Sequence, residues 1–286
     1  MRVERFPAPG AKVSASEFTI TGGGCAANAA LTVARLGGRA AFAGPLGGDA
    51  DAVSNRILAD LEAEGVDCSG VRRATAGSAS VSLILLDKTG EKTIATRRGV
   101  GLGQKLPEDP RALVKDADAV LVDNRFPEFV TAVCRAAQAC KIPLVIDLDQ
   151  AAKPDDRLLA LGTHVIASSE ALRATTGLED LAAALKRLVE YVPRFVAVTD
   201  GPNGVIWLED GALRHMPAFN VQAIDSLAAG DAFHGAFTLG LAEGHNLADA
   251  LRFASATAAL KCTHFGGAAG APWRAEVDEF LKSQGG

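Results

Sequence analysis

The sequence is short of the features that mark nucleic-acid-binding and membrane proteins. Aromatic residues make up 5% of the 286 residues and the formal net charge is −5, so neither a base-stacking platform nor a basic surface is indicated. No apolar run reaches the length needed to cross a bilayer, and the N-terminus has no apolar signal region. We therefore expect neither a nucleic-acid partner nor a membrane partner.

Cysteine is also scarce. The five cysteines are scattered, odd in number and without zinc-site spacing, which fits reduced thiols in the cytoplasm. Hydrophobic residues at 48% and charged residues at 22% are ordinary for a globular protein with a large core in one or two domains. Cys25 lies beside a glycine-rich segment, and we interpret it as a small buried residue.

The most informative segment is a run of small residues, Asp225 to Asp231, that ends in a lone carboxylate. Apolar residues recur at helical spacing directly afterwards, which places Asp231 at a helix start. Free backbone N–H groups and the helix dipole favour an anion there. Phosphoryl transfer to an alcohol needs such an anion hole and a carboxylate that takes the hydroxyl proton. A simple capping role for Asp231 is the alternative that this segment alone leaves open.

A second glycine-rich segment, residues 21–28, leads into a predicted helix that ends at Gly37. Glycine permits close approach of the backbone to a ligand, and the Asn28 amide can both donate to and accept from sugar hydroxyls. Glycines also simply make turns, so this segment by itself is a weak indication of a binding site.

Short β-rich runs alternate with helical segments in the second half of the chain. The predicted strands are 119–122, 143–147, 164–167 and 195–199. The predicted helices are 128–140, 181–189 and one near Glu170. This order predicts an α/β fold with a doubly wound, mostly parallel sheet, helices on both faces and ligands at the carboxyl ends of the strands. Residues 11–20 and 76–98 instead have the pattern of β-hairpins.

Together, and in this order, the segments resemble the PfkB/ribokinase family of carbohydrate kinases along nearly the whole chain. The matching segments are Gly23–Asn28, Gly44–Asp49, Glu64–Asp67, Val198–Gly204 and Asp225–Asp231. The last is similar to the family signature D-[ST]-x-G-A-G-D and is highly specific in this setting. The resemblance implies a ribokinase-like α/β domain of residues 21–75 and 99–286. It also implies a small β-sheet lid of residues 1–20 and 76–98, and a homodimer formed through that lid.

The resemblance also implies roles for single residues. Asp231 would be the general base, beside an anion hole made by the N–H groups of Ala228, Ala229 and Gly230. The acceptor sugar would bind Gly23, Gly24 and Asn28, and ATP would bind Thr199, Gly201, Gly204, Ser168 and Gly267. ATP and Mg²⁺ are the implied cofactors. Some members hold a monovalent cation such as K⁺ where Asp225 and Gly266–Gly267 stand.

Three positions depart from the family pattern. Ala228 replaces the usual first glycine of the anion hole, which a negative φ tolerates and a positive φ would strain. Glu170 stands at a shifted spacing from the usual Asn-x-x-Glu motif, so we expect Mg²⁺ to be held mainly by phosphates and water, with Glu170 acting through water. The chain opens after the place of the family's first strand. We expect either a natural start further upstream or a core sheet that lacks a strand, and we favour the former.

The C-terminal segments around His234, Arg252 and Lys261 resemble the sulfofructose kinase branch, near the ketohexokinases. Arg125 and Lys12 stand where that branch would hold an anion, although each is also readable as a solvated surface charge. Thr96 stands where that branch would have an amide side chain.

We therefore predict an ATP- and Mg²⁺-dependent kinase that phosphorylates a primary hydroxyl of a ketohexose-like sugar, in its specific form one with a C6 anion such as 6-deoxy-6-sulfofructose. The alternatives are a nucleoside or neutral-sugar kinase of the same family and a non-catalytic sugar or nucleotide sensor.

Overall fold

The computed structural model describes residues 1–88, 90–103, 105–153, 156–192 and 194–285. The strands are β1 (Arg2–Val3), β2 (Ala15–Glu17), β3 (Ala41–Gly47), β4 (Asp67–Ala74), β5 (Val81–Leu86), β6 (Lys92–Arg97), β7 (Val120–Asp123), β8 (Leu144–Leu148), β9 (His164–Ser168), β10 (Phe195–Thr199), β11 (Val205–Glu209) and β12 (Ala212–Met216). The α-helices are α1 (Cys25–Arg35), α2 (Ala52–Ala63), α3 (Pro110–Val114), α4 (Pro127–Ala139), α5 (Ser169–Thr176), α6 (Leu181–Val189), α7 (Ala229–Ala242), α8 (Leu247–Cys262) and α9 (Arg274–Ser283).

The main sheet has six strands in the order β12-β11-β10-β9-β8-β7, and β7 to β10 run parallel. Successive strand residues point to opposite faces. Leu144, Ile146 and Leu148 of β8 therefore pack in the cluster that includes α5 and α6, whereas Val145 packs with α7 and α8. Helices thus cover both faces, which confirms the predicted doubly wound α/β fold.

A cavity of about 2060 Å³ separates the main sheet from a second, two-stranded sheet. β3 and β4 pair in parallel with each other and, in the described ranges, with no strand of the main sheet. The cavity wall includes Phe42 and Gly44 of β3 and Val120 and Val122 of β7. β1 lies elsewhere, between β2 and β5. The carboxyl end of β7 and the start of α1 meet at this same cavity.

The small lid sheet has the order β2-β1-β5-β6. β5 and β6 form the antiparallel hairpin that the sequence predicts within residues 76–98. Residues 11–20 differ from the prediction, because they supply only β2, which pairs with β1 instead of folding back on itself. Val81, Leu83 and Ile94 on the hairpin are 43%, 54% and 45% exposed, so the lid presents apolar surface.

In the part of the chain that the structure describes, no helix combines the length and the apolar character needed to cross a membrane. All five cysteines carry free thiols. Cys25 and Cys134 are buried, and Cys140 is exposed. The buried position of Cys25, at the first residue of α1, agrees with its interpretation as a small packed side chain.

Candidate active site

The start of α7 offers unpaired backbone N–H groups beside a carboxylate. Asp231 lies in the first turn of α7, and Ala228 is the residue before the helix. The N–H groups of Ala228, Gly230 and Asp231 have no hydrogen-bond acceptor within the described ranges. The resemblance implies that the N–H of Ala229 belongs to the anion hole, but this N–H instead points back to the Ser226 carbonyl at 3.3 Å. The predicted anion hole therefore has three N–H groups open to an anion, one of which belongs to Asp231 itself.

Ala228 adopts the left-handed conformation that its side chain disfavours. Its φ is 62° and its ψ is 13°, so the condition of a negative φ at this alanine is not met. A non-glycine residue in this region costs about 1 kcal/mol, and such strain persists only where the surroundings enforce it. Here the adjacent Leu227 N–H is held by the Asp225 carboxylate at 2.8 Å.

Asp225 is the buried anchor of the anion-hole loop. One carboxylate oxygen accepts from Leu227, and the other accepts from the N–H groups of Gly266 and Gly267 at 2.9 and 3.0 Å. Burial raises the pKa of Asp225, but the donation from Gly267, the charge of Lys261 and the other N–H groups leave that pKa below its ordinary value. Asp225 is therefore a carboxylate at neutral pH.

The expected place of a monovalent cation is shared with a lysine. The Lys261 side chain is fully buried, and its Nζ lies 3.5 Å from the Asp225 carboxylate. Nζ donates to the backbone carbonyls of Asp225 at 2.8 Å and His264 at 3.5 Å. The residues around Asp225 and Gly266–Gly267 thus already surround a positive charge, and a K⁺ ion does not fit the same oxygen set.

Asp231 lies beside Asn28, and the resemblance implies roles as base and as sugar-binding residue for these two. The Asn28 amide donates to Asp231 Oδ2 at 2.6 Å, and Gly23 and Gly24 line the same cavity just before α1. Gly24 has a φ of 108°, which requires glycine. Burial raises the pKa of Asp231, and the Asn28 hydrogen bond partly opposes this rise in pKa.

Sequence reasoning missed a buried pair behind Asp231. His234 Nε2 lies 3.5 Å from Asp147 Oδ1 and 3.2 Å from the Ile166 carbonyl, while Nδ1 lies 2.7 Å from the Gly230 carbonyl. A neutral imidazole has one N–H for these two carbonyl oxygens, and burial lowers the pKa of His234, which disfavours a second proton on the ring. Burial also raises the pKa of Asp147 strongly, which favours the protonated form of that carboxyl group. An aspartate inside an apolar strand was the signal that could have found this pair.

Cys25, Asp147 and Asp231 place one ligand atom each within 4.8 Å of one another. Mg²⁺ takes oxygen ligands and keeps much of its water, so a set that includes a buried thiol does not fit it. Burial raises the pKa of the Cys25 thiol far above its ordinary value, so this side chain stays protonated. The cluster therefore does not have the donor set of a Mg²⁺ site.

Arg125 follows β7 and lines the same cavity as Asp231. It forms an ion pair with Asp149, and the Gln150 side-chain oxygen accepts from Arg125 at 2.8 Å and from Arg98 at 3.2 Å in the amide orientation that satisfies both. The Nε of Arg125 is buried and has no partner among the described residues. Lys12 lies on the exposed segment before β2 and does not line the cavity, so the structure does not bring it to Arg125.

The predicted nucleotide residues gather at the carboxyl ends of β9 and β10. Ser168 and Thr199 are register partners at these ends, and the Ser168 hydroxyl caps α5 by accepting from Ala171. A Cβ at Gly204 would lie 2.1 Å from the Met216 carbonyl, so this turn requires glycine. Gly201 begins the same turn, with a φ of 51°.

Two further predicted residues lie apart from this group. Gly267 is separate and lines the cavity beside Asp225. Glu170, predicted to reach Mg²⁺ through water, lies exposed in the first turn of α5.

Known proteins are similar to this chain in fold and in sequence. The family profile of the pfkB family carbohydrate kinases matches residues 1–274. An ATP-dependent ribose-1-phosphate kinase from Halopiger xanaduensis is 32% identical over 99% of this chain and 94% of its own length. A ribokinase from Haemophilus influenzae is 29% identical over 98% of this chain and 94% of its own.

Two solved structures superpose closely on this fold. A candidate ribokinase from Agrobacterium tumefaciens has a TM-score of 0.93 at 38% identity, covering 99% of this chain and 93% of that chain. The Arabidopsis thaliana ribokinase complexed with ribose and ATP has a TM-score of 0.82 at 25% identity, covering 98% of this chain and 94% of that chain.

Proposed function

The chain belongs to the pfkB family of carbohydrate kinases, and from this premise we propose that Asp231 is the general base of an ATP-dependent sugar kinase. The observation that carries this proposal is the buried Asp231 carboxylate, held by Asn28 at 2.6 Å beside three unpaired N–H groups. Asp231 takes the proton of a primary hydroxyl, whose oxygen bonds to the γ-phosphorus while the bond to the bridging oxygen of ADP breaks. The N–H groups of Ala228, Gly230 and Asp231 stabilise the charge on the transferred group.

ATP would lie along the carboxyl ends of β9 and β10, against Ser168, Thr199 and the Gly201–Gly204 turn. Ser168 and Thr199 are adjacent in the sheet, and the glycines of the following turn allow close approach of the backbone to the nucleotide. Gly267 would contact the phosphates from the anion-hole side. Mg²⁺ would offset charge on the phosphates while coordinated by them and by water, with Glu170 reached through water.

For the acceptor, we propose a ketohexose-like sugar with an anionic group at C6, in its most specific form 6-deoxy-6-sulfofructose. Support comes from the unpartnered Nε of Arg125 and from Arg98, which meets Arg125 at Gln150. Guanidinium groups bind sulfonate and phosphate with paired, charge-assisted hydrogen bonds. Lys12 would join this group only if the lid moved towards the main domain. The Halopiger xanaduensis relative is named for an acceptor that already carries phosphate.

A neutral sugar is the second candidate. The Asp149 carboxylate already pairs with Arg125, which offsets the positive charge that an anion would need. Relatives named ribokinase cover nearly the whole chain. A nucleoside acceptor of the same class would also leave Arg125 without a direct role. Non-catalytic sensing has no supporting observation in the site, because the proposed base and anion hole are both present.

The discriminating experiment is ADP release with Mg²⁺–ATP over a panel of acceptors: 6-deoxy-6-sulfofructose, fructose 6-phosphate, fructose, ribose and adenosine. Arg125→Ala should raise the KM of a C6-anionic acceptor about 10- to 100-fold, since a hydrogen bond to a charged group contributes roughly 1.5–3 kcal/mol. Arg111→Ala, at an exposed position on α3, is the matched control. Wild-type preference for ribose or fructose, with no response to Arg125→Ala, would replace the anionic acceptor by a neutral one.

We also propose that two copies associate through their lid sheets. The exposed apolar residues Val81 and Leu83 lie on one face of β5, where a second lid would bury them, whereas Ile94 pairs with Ile84 on the other face. Sedimentation of the purified protein over a range of concentrations tests this association.

A further inference from the structure

Lys261 is a buried charge that the phosphoryl transfer itself does not use. It lies in the last turn of α8, and its side chain has 0% exposure. An ammonium group has three N–H donors and no acceptor. Three oxygens lie near Nζ: the Asp225 carbonyl, the His264 carbonyl and the Asp225 carboxylate. The surroundings of Nζ are therefore those of a bound cation.

This ammonium group joins three segments beneath the anion hole. The carbonyl of Asp225 belongs to the loop that leads into α7, and the carbonyl of His264 belongs to the loop after α8. The Asp225 carboxylate in turn holds the N–H groups of Leu227, Gly266 and Gly267. Removing the positive charge would leave that carboxylate buried without its counter-charge, in the loop that carries the strained Ala228.

Two further features favour a cation at this point. The carboxyl end of a helix carries partial negative charge, and Lys261 lies in the last turn of α8. Burial lowers the pKa of Lys261, while the neighbouring Asp225 carboxylate opposes that fall in pKa. The charge of Lys92 also lowers the pKa of Lys261, whereas Cys262 raises it.

We propose that Lys261 Nζ is a built-in monovalent cation, which keeps the Asp225–Ala228 loop in shape without bound K⁺ or any other added ion. The effect on turnover rests on the proposed role of the anion hole, whereas the effect on the loop itself does not. The chain would thus differ in cation requirement from a carbohydrate kinase that recruits an ion from solution.

The first test uses the unmodified protein. KCl is replaced by tetramethylammonium chloride at constant ionic strength, and both ADP release and the melting temperature are measured. Turnover within about twofold and an unchanged melting temperature are expected. A tenfold or larger loss of turnover, restored by K⁺, would overturn the proposal.

The second test opens the position to solvent ions. Lys261→Ala removes the ammonium group and leaves space, and Lys261→Met removes the charge but fills the space. In tetramethylammonium chloride both variants should lose at least tenfold in turnover and melt at lower temperature than the wild type. Adding NH₄⁺ or K⁺ should raise the melting temperature and turnover of Lys261→Ala while leaving Lys261→Met unchanged. Equal responses of the two variants would contradict a cation role.

The two readouts separate this inference from the kinase proposal. The dependence of melting temperature on K⁺ decides the cation question even if no sugar on the panel is phosphorylated. If both variants fail to fold, the cation replacement on the wild type still decides it.

Discussion

The anion-hole region and the lid sheet are built in opposite ways. Around the anion hole, Asp225 and Lys261 are 1% and 0% exposed and are joined to three segments by hydrogen bonds. In the lid, every residue of β2 and β6 is exposed, and the apolar Leu83 is 54% exposed. One region has its contacts in place before a ligand arrives, and the other still has surface to bury.

This difference assigns the two regions different tasks. Catalysis by preorganised N–H groups needs a loop that already has its reactive shape and does not rearrange during the reaction. Buried polar contacts hold the loop in this shape, and they offset the cost of the strained φ of Ala228. The role that we propose for the lid, admitting a sugar and then excluding water, needs the reverse, few buried contacts and an apolar face. Changes in the first region should therefore alter chemistry, and changes in the second should alter association.

The largest expected effect is from Asp231→Asn. It removes the base but keeps the size of the side chain, and general-base catalysis contributes about 10²- to 10⁴-fold. We expect kcat to fall by at least that factor, with the KM for ATP little changed. ADP release and ATP binding by calorimetry measure the two quantities. Turnover near the wild-type rate would remove Asp231 from the mechanism.

A second prediction tests the lid. Leu83→Asp places a charge on the face that we propose to be covered by a second copy. Burial of a leucine contributes about 1.5–3 kcal/mol, so the dimer should weaken at least tenfold. The neighbouring Ser82→Asp, on the opposite face of β5, is the control and should leave association intact. Sedimentation equilibrium measures both, and equal behaviour of the two variants would place the interface elsewhere.

A third prediction concerns pH. Burial raises the pKa of Asp231 above its ordinary value of 3.8, and the base acts only when ionised, so kcat/KM should fall as pH drops through this raised pKa. Asn28→Ala removes the hydrogen bond that lowers the pKa. The acid limb should then move to higher pH. Asn55→Ala, on α2, is the control. An acid limb that moves to lower pH in Asn28→Ala would contradict the assignment.

The strands that a local sequence pattern defines are the ones predicted correctly. The strands at 143–147 and 195–199 differ from β8 and β10 by no more than one residue, because apolar β-rich runs define them directly. Asn28 and Asp231, 203 residues apart, were joined only through the resemblance to a family. The contact of Lys261 with Asp225 was not predicted, since no local pattern encodes a meeting of two buried side chains across 36 positions.

The φ of Ala228 was left open by the sequence, and its observed value supports the smallest prediction. Residue type alone favoured a negative φ, but the bonds of Asp225 to Leu227, Gly266 and Gly267 enforce 62°. Ala228→Gly removes the strain, so the free energy of unfolding should rise by up to about 1 kcal/mol. Ala229→Gly, at the first residue of α7, should lower it by up to about 0.5–1 kcal/mol. Urea unfolding of the two variants gives changes of opposite sign if the tightly bonded loop holds Ala228 under strain. A loss of stability in both would mean that it does not.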